Sequence, residues 1–335
     1  MHITIYTDIT GFDQLAEEWD DLLMRAVSAP FFMRYCYQRT WWQYLGNGNL
    51  ALIAIRAETG QLVGLAPLYG SINQAGQSEL SFVGCVDISD YLDLLVDRDY
   101  VEAVYQALLD CLEHNDALTW DRLYLCSLPH TSLTQTQLAE ATRARGWRTR
   151  VSQQDVCPVI TLADNWDDYL AGLNKKQRHE IRRKIRKIES EAKTHWYVID
   201  SEAGLAEAMH TFIELHQRST QDKEDFWSDN LVMFFRAVAV ELARAGWLKL
   251  FLMELNDLPA AAMLCFDYNN EFLLYNSGYD PQFQNLSPGN VLTAYTIQEA
   301  IRLGRSRYDF LRGDEIYKFR FGAEAEPVYD LGISR

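Results

Sequence analysis

The apolar and polar positions of this chain fall into two blocks that repeat one order of elements. Residues 50–56 and 62–69 are apolar runs on either side of Glu58-Thr59-Gly60, a pattern that predicts a β-hairpin. Residues 248–255 and 260–268 flank Asn256-Asp257-Leu258-Pro259 in the same way. After the first hairpin the pattern predicts a strand at 79–83 ending at Gly84, a helix at 100–114 and a strand at 122–126. Val101, Val104, Tyr105, Leu108 and Leu112 recur at helical spacing, so that helix buries one face. After the second hairpin come a strand at 271–276 followed by Gly278, a helix at 290–303 and a strand at 307–311. Val291, Ala294, Ile297 and Ile301 form the buried stripe of that helix, and Gly304 is its stop signal. Helical patterns also precede each hairpin, at 12–26 and 35–45 in the first block and at 173–190 and 205–218 in the second.

Solenoid units run about 20–50 residues and recur several times, so two longer blocks predict a duplicated domain of roughly 160 residues. The boundary is expected near 153–158, where polar residues and Pro158 interrupt the pattern, giving domains at 1–157 and 158–335. With 48% hydrophobic and 23% charged residues, both have ample apolar surface to bury.

The richest apolar stretch, 231–255, is cut by Arg236, Glu241, Arg244 and Lys249, so no membrane insertion is expected. Met1-His2-Ile3-Thr4-Ile5-Tyr6 alternates like a strand and lacks the basic start of a secretory signal, which points to the cytoplasm. The six cysteines are scattered with no C-x-x-C pair, as expected of thiols in a reducing compartment and not of metal ligands. No zinc pattern, phosphate-cradling Walker loop, nucleophile elbow or dinucleotide fingerprint is present, so no metal is expected.

Net charge is −16, which argues against DNA as a partner. One segment departs from that average: residues 175–187 hold eight Lys or Arg and one Glu, a local +7 that leaves −23 on the remainder. Its helical pattern places Leu173, Ile181, Ile185 and Ile188 on one side and Arg182, Arg183, Arg186 and Lys187 on the other. This is either a solvated amphipathic helix or a surface that attracts an anion.

Several local motifs, in this order and spacing, resemble the tandem-GNAT acetyltransferases called CelD-like or BioF-like, and more distantly the Fem-type transferases of peptidoglycan bridges. In the first block they are Pro30-Phe31-Phe32, Gly64-Leu65-Ala66-Pro67-Leu68 and Asp90-Tyr91-Leu92-Asp93. In the second they are Asn174-Lys175-Lys176-Gln177-Arg178, Ser277-Gly278-Tyr279-Asp280, Ser287-Pro288-Gly289, Tyr308-Asp309-Phe310, and the run from Gly313 to Gly322. The resemblance covers nearly the whole chain. It implies an α/β fold with a mixed sheet in each of two tandem GNAT-like domains, the first a degenerate copy and the second the acyltransferase. It further implies two parallel strands, here 271–276 and 307–311, that part at one end so that an extended thioester arm can pair with the freed backbone.

The activity implied is acyl transfer from acetyl-CoA or another acyl-CoA to an amine or hydroxyl. The acceptor would be a small molecule or an envelope or exopolysaccharide precursor. The sequence departs from the GNAT pattern in one place: Gln or Arg, two residues, Gly, one residue, Gly or Ala is absent from the loop before the 290–303 helix. An aminoacyl-tRNA donor, as in the Fem-type relatives, and a non-catalytic binding protein therefore stand as alternatives.

The motifs supply the candidate site residues. Ser287, Pro288, Gly289 and Asn290 open a helix whose free N–H groups suit a diphosphate, or simply cap that helix. Asp309 is a candidate base, or a strand-end residue bonded to backbone. Lys318 is the candidate stabiliser of carbonyl charge by resemblance to the Fem-type lysine, with Arg320 as competitor and a solvated strand as the plain alternative. Tyr279 is placed to protonate a leaving thiolate, or together with Asp280 forms a turn before Pro281. Arg312 and Asp314 crowd a strand end where substrate can lie. His216 shares the apolar stripe of Leu205, Met209 and Phe212, as a core histidine or an acceptor-side group.

Overall fold

The computed structural model describes residues 1–85, 88–115 and 118–335. It divides into two compact units, Met1–Asp155 with Pro327–Arg335, and Val156–Glu326.

The first unit contains β1 (His2–Tyr6), α1 (Thr10–Arg25), α2 (Tyr35–Leu45), β2 (Asn49–Arg56), β3 (Leu62–Ile72), β4 (Ser78–Phe82), β5 (Leu95–Val96), α3 (Val101–His114), β6 (Arg122–Pro129) and α4 (Ala139–Ala144). The strand β7 (Arg148–Thr161) runs on into the second unit. Beyond it come α5 (Trp166–Gly172), α6 (Lys175–Glu191), β8 (Thr194–Ile199), α7 (Leu205–Ser219), α8 (Gln221–Asp225), α9 (Asp229–Arg244), β9 (Leu248–Leu255), β10 (Leu258–Tyr268), β11 (Glu271–Tyr279), α10 (Pro288–Arg302), β12 (Arg307–Asp309), α11 (Ile316–Phe319) and β13 (Glu324–Ser334). The mixed α/β class and both hairpins agree with the sequence pattern. Pro158 does not interrupt structure as expected; it lies within β7, which stays extended through it. The apolar stretch at 231–255 resolves into α9, a turn and β9.

In the first unit the strands lie in the order β1-β2-β3-β4-β6-β13, with the C-terminal part of β13 antiparallel to β6 from Val328 opposite Pro129 to Ser334 opposite Arg122. The β4–β6 pair is parallel and the others are antiparallel. Its core is aromatic, with Phe12, Trp19, Phe32, Tyr37 and Phe82 fully buried. The cysteines do not all remain thiols as the sequence led one to expect: Cys85 and Cys126 form a disulfide, because the end of β4 runs beside β6 with their Cα atoms 6.2 Å apart.

In the second unit the order is β7-β12-β11-β10-β9-β8. Alternation along the strands sends Phe251, Met263, Phe272 and Tyr308 to one face, where they pack with Val291 and Ile297 of α10 and Ile181 and Ile188 of α6. On the other face Tyr275 stacks on Phe235 of α9 and meets Phe266 at a tilt. Each of the fully buried rings among these, such as Phe235, Phe251, Phe266 and Phe272, contributes about 2–3 kcal/mol relative to an exposed one, which anchors both helix layers to the strands between them.

Candidate active site

The parallel strands β11 and β12 pair at only three positions: Glu271 with Arg307, Phe272 with Tyr308, and Leu273 with Asp309. Beyond these, β11 runs along β10 as far as Tyr279, while the chain after β12 runs along β7 through Phe310 N–H to Pro158 O and Gly313 N–H to Val156 O, each 2.9 Å. The two arms part. The β10–β11 register shifts where Leu264 faces Asn276 but Cys265 faces Leu274, leaving Tyr275 as an extra residue. A bulge bends its strand, and this one lies two residues beyond the last rung of the β11–β12 ladder, so it turns β11 away where the fork opens.

Past the bulge β11 is pressed against α7. A Cβ on Gly278 would come within 2.3 Å of the His216 backbone nitrogen, so only glycine fits there. That approach lets Tyr279 N–H donate to Ser219 Oγ at 2.8 Å and brings Asn276 Oδ1 to 2.7 Å from His216 Nε2. Trp227 Nε1 donates to His216 Nδ1 at 3.0 Å, which fixes Nδ1 as an acceptor and gives Nε2 the proton for Asn276. Burial, assisted by the nearby Lys223 charge, pushes His216 down to about 4, and its bond to Asn276 opposes this. It is a neutral, doubly bonded core histidine.

The other arm closes around Lys318. This side chain is buried on the short helix α11, not on a strand, and its ammonium donates to the carbonyls of Leu311, Arg312 and Gly313 at 3.2, 2.8 and 3.1 Å. Glu315 pairs with it at 2.9 Å. Three carbonyl dipoles thus converge on one cation, and Leu311 is held at φ 55°. Asp309 is buried and accepts the Leu311 N–H at 2.7 Å, so one of its oxygens fixes this same turn. Arg312 is half-buried and Asp314 exposed on the arm.

At the mouth of the fork, Asp280 accepts from the Gln282 backbone N–H at 2.9 Å and starts a short turn that ends at Ser287. Ser287 stands at the N-cap position of α10 in the left-handed conformation, and its hydroxyl makes no capping bond. Pro288 is the first helical residue, and the Tyr279 ring lies 4.0 Å from where a Cβ on Gly289 would sit. The free first-turn N–H groups of α10 therefore open beside Tyr279.

A cavity of about 580 Å³ adjoins this helix start, lined among others by Lys176, His179 and Lys184 of α6, Asn290 of α10, and Arg320 and Phe321. The basic helix thus presents one stripe to the cavity. Burial pushes the Lys184 ammonium down; Glu180 opposes the shift, and the charges of Arg320 and Arg183 add to it. An anion placed among these cations would relieve their repulsion. Of the residues expected from sequence, the structure brings Tyr279, Gly289, Asn290 and Arg320 to this region, and ties Lys318 and Asp309 into the arm behind it.

Sequence reasoning missed three features. Lys176, Glu180 and Lys184 recur every four residues and lie on one helical stripe, a periodic signal present in the chain. The Tyr275 bulge and Lys223, in the polar run 220–225, carry no periodic mark.

The family model described as "Acetyltransferase (GNAT) domain" matches residues 175–319, which contain the fork, most of the residues lining the cavity and both Lys223 and Lys318. The chain is a GNAT-superfamily acyltransferase. No curated protein matches its sequence. Among solved structures the acyltransferase is similar in fold to FemX, with a TM-score of 0.67 at 14% identity over 98% of this chain and 97% of that one. It is also similar to the C-terminal domain of a putative lysylphosphatidylglycerol synthetase from Agrobacterium fabrum (TM-score 0.57, 10% identity, 97% and 92% coverage). L-PGS from Bacillus licheniformis is another such fold (TM-score 0.57, 11% identity, 94% and 90% coverage). Among the described residues of the acyltransferase, no helix is long and apolar enough to cross a membrane.

Proposed function

We propose that the acyltransferase takes its acyl group from an acyl-CoA thioester, acetyl-CoA in the simplest case. The acceptor is an amine or hydroxyl of a small molecule or of an envelope or exopolysaccharide precursor. The donor arm lies in the fork between β11 and β12, and its diphosphate sits on the first turn of α10. The strongest support is the parting of two strands after three rungs beside a cation-lined cavity at a helix start. An extended pantetheine arm can use the backbone groups that the missing strand leaves unpaired. Lys184, Lys176 and Arg320 then neutralise phosphate, and Gly289 leaves room for it.

Within this reading Lys318 acts by holding the 311–313 turn and by its positive field, since its protons are engaged by carbonyls. Tyr279, beside Gly289, lies where a leaving thiolate would accept a proton. The first unit is a non-reacting copy.

Calorimetric titration with acetyl-CoA, free CoA and aminoacyl-tRNA tests the reading. Acetyl-CoA and CoA are expected to bind, and Lys184→Ala and Arg320→Ala each to weaken binding by about tenfold, or about 1.4 kcal/mol. Failure of both CoA species to bind, with aminoacyl-tRNA bound instead, would overturn it in favour of a tRNA donor.

A further inference from the structure

In the second unit one amine lies between the two arms of the fork without a part in donor binding. Lys223, on α8, donates from Nζ to the carbonyl of Ser277, four residues along β11 from the last rung shared with β12. Across the fork it lies within electrostatic reach of Glu315 and Lys318 on the other arm. Behind it, on α7, stands His216, which also feels its charge.

We infer that Lys223 takes up the proton that the acceptor loses on attacking the donor, an inference that rests on an acyl-CoA lying in the fork. The other basic groups around this point are engaged. Asp309 holds the Leu311 N–H, Glu315 is paired with Lys318, and both ring nitrogens of His216 have partners. A neutral Lys223 can keep one N–H on Ser277 O and still offer its lone pair.

The step balances without a co-reactant. The acceptor nitrogen or oxygen forms a bond to the thioester carbonyl carbon, and the C–S bond breaks with its electron pair going to sulfur. The acceptor's proton passes to Lys223 Nζ, Tyr279 gives its phenol proton to the thiolate, which leaves as CoA thiol, and Lys223 restores the proton to Tyr279 and so returns to its neutral form. Burial pushes Lys223 down to about 8; Glu315 opposes this and Lys318 assists. With that value about a tenth of Lys223 is neutral at pH 7 and more as pH rises, which serves a working base.

The test uses the full chain with acetyl-CoA as donor and water as acceptor, reading thiol release from pH 6 to 10 on the order of half-unit steps. Wild type is expected to show a rising alkaline limb with a midpoint near 8. In Lys223→Met and Lys223→Gln the limb disappears and the rate falls by about 100-fold, while the calorimetric Kd for acetyl-CoA stays within about twofold. Independently, the eight lysines can be ¹³C-methylated and titrated by NMR, and the Lys223 signal is expected to move near pH 8. An unchanged limb in both variants, binding without any thiol release, or a Lys223 signal titrating in the ordinary lysine range overturns the inference alone. Loss of acetyl-CoA binding in wild type overturns the reading beneath it, and calorimetry registers that separately.

Discussion

Each unit contains a fork built on the same three-rung plan, and the two forks are filled differently. In the first, β4 and β6 pair in parallel from Glu79 opposite Arg122 to Ser81 opposite Tyr124. In the second, β11 and β12 do so from Glu271 opposite Arg307 to Leu273 opposite Asp309. Beyond those rungs the first fork is occupied by its own chain. Leu92 N–H donates to Ser127 O on β6 at 3.0 Å, Tyr37 hydroxyl donates to Ile88 O, and Asp93 accepts from Thr134 Oγ1 at 2.6 Å. No register shift interrupts the β3–β4 ladder. The second fork instead has the Tyr275 bulge, a glycine-bearing helix start and side-chain amines at its edges. One strand topology thus yields a self-satisfied core or an open slot, according to the segment that leaves the strand. A linker that folds back supplies the missing backbone partners; a short turn into α10 leaves them to a ligand. This contrast supports assigning the donor to the second unit.

The contrast can be broken most severely at Gly278. Gly278→Val drives a side chain into the α7 backbone and is expected to cost about 3 kcal/mol or more of stability, read by urea denaturation. Hydrogen exchange should speed in the second unit and stay unchanged in the first; equal loss in both would contradict a local seam.

A comparable effect is expected from Lys318→Met, which strips the common cation from three carbonyls and Glu315. About 3 kcal/mol is the expected loss, with acyl transfer abolished. If stability is untouched while kcat alone falls, the ammonium acts on the reacting carbonyl and not on the turn.

Smaller, but opposite in the two units, is the response to pH. His216 in the second unit is pushed from 6.5 to about 4 by burial, so the unfolded chain binds its proton first. Its contribution is complete above pH 6.5 and is lost as pH falls toward 4, by about 2 kcal/mol at pH 5. In the first unit burial raises Asp93 from 3.8 to about 6, against its bond to Thr134. Its contribution is present below pH 3.8 and is lost as pH rises through 6. Lowering pH from 7 to 5 should therefore lower exchange protection, corrected for the slower intrinsic exchange at low pH, around α7 and β11 while raising it around Asp93. His216→Gln should remove the first effect and Asp93→Asn the second.

Much of this architecture was legible in the chain. Both hairpins, α3, α10 and the strands after them arise from apolar periodicity, because each buries one face and local spacing sets which residues that face receives. The approach of α7 to Gly278 is consistent with a glycine there, but its spacing could not reveal the neighbour. At the site, the helix start at Ser287 to Asn290 was visible as a motif. Lys318 was visible only as a lysine among aromatics, and its burial beneath three carbonyls depends on a turn closed by Asp309, long-range packing and Gly313.

By itself, the sequence determined the two repeated blocks, the elements within them, the segregation of charge onto α6 and the family motifs, because these are properties of residue spacing and composition. Only the tertiary structure decided that Pro327–Arg335 joins the first unit, that one stripe of α6 lines a cavity at α10, and that Lys223 reaches the edge of β11. Those outcomes join residues tens to hundreds of positions apart, and they depend on where strands stop pairing, which side-chain period does not encode.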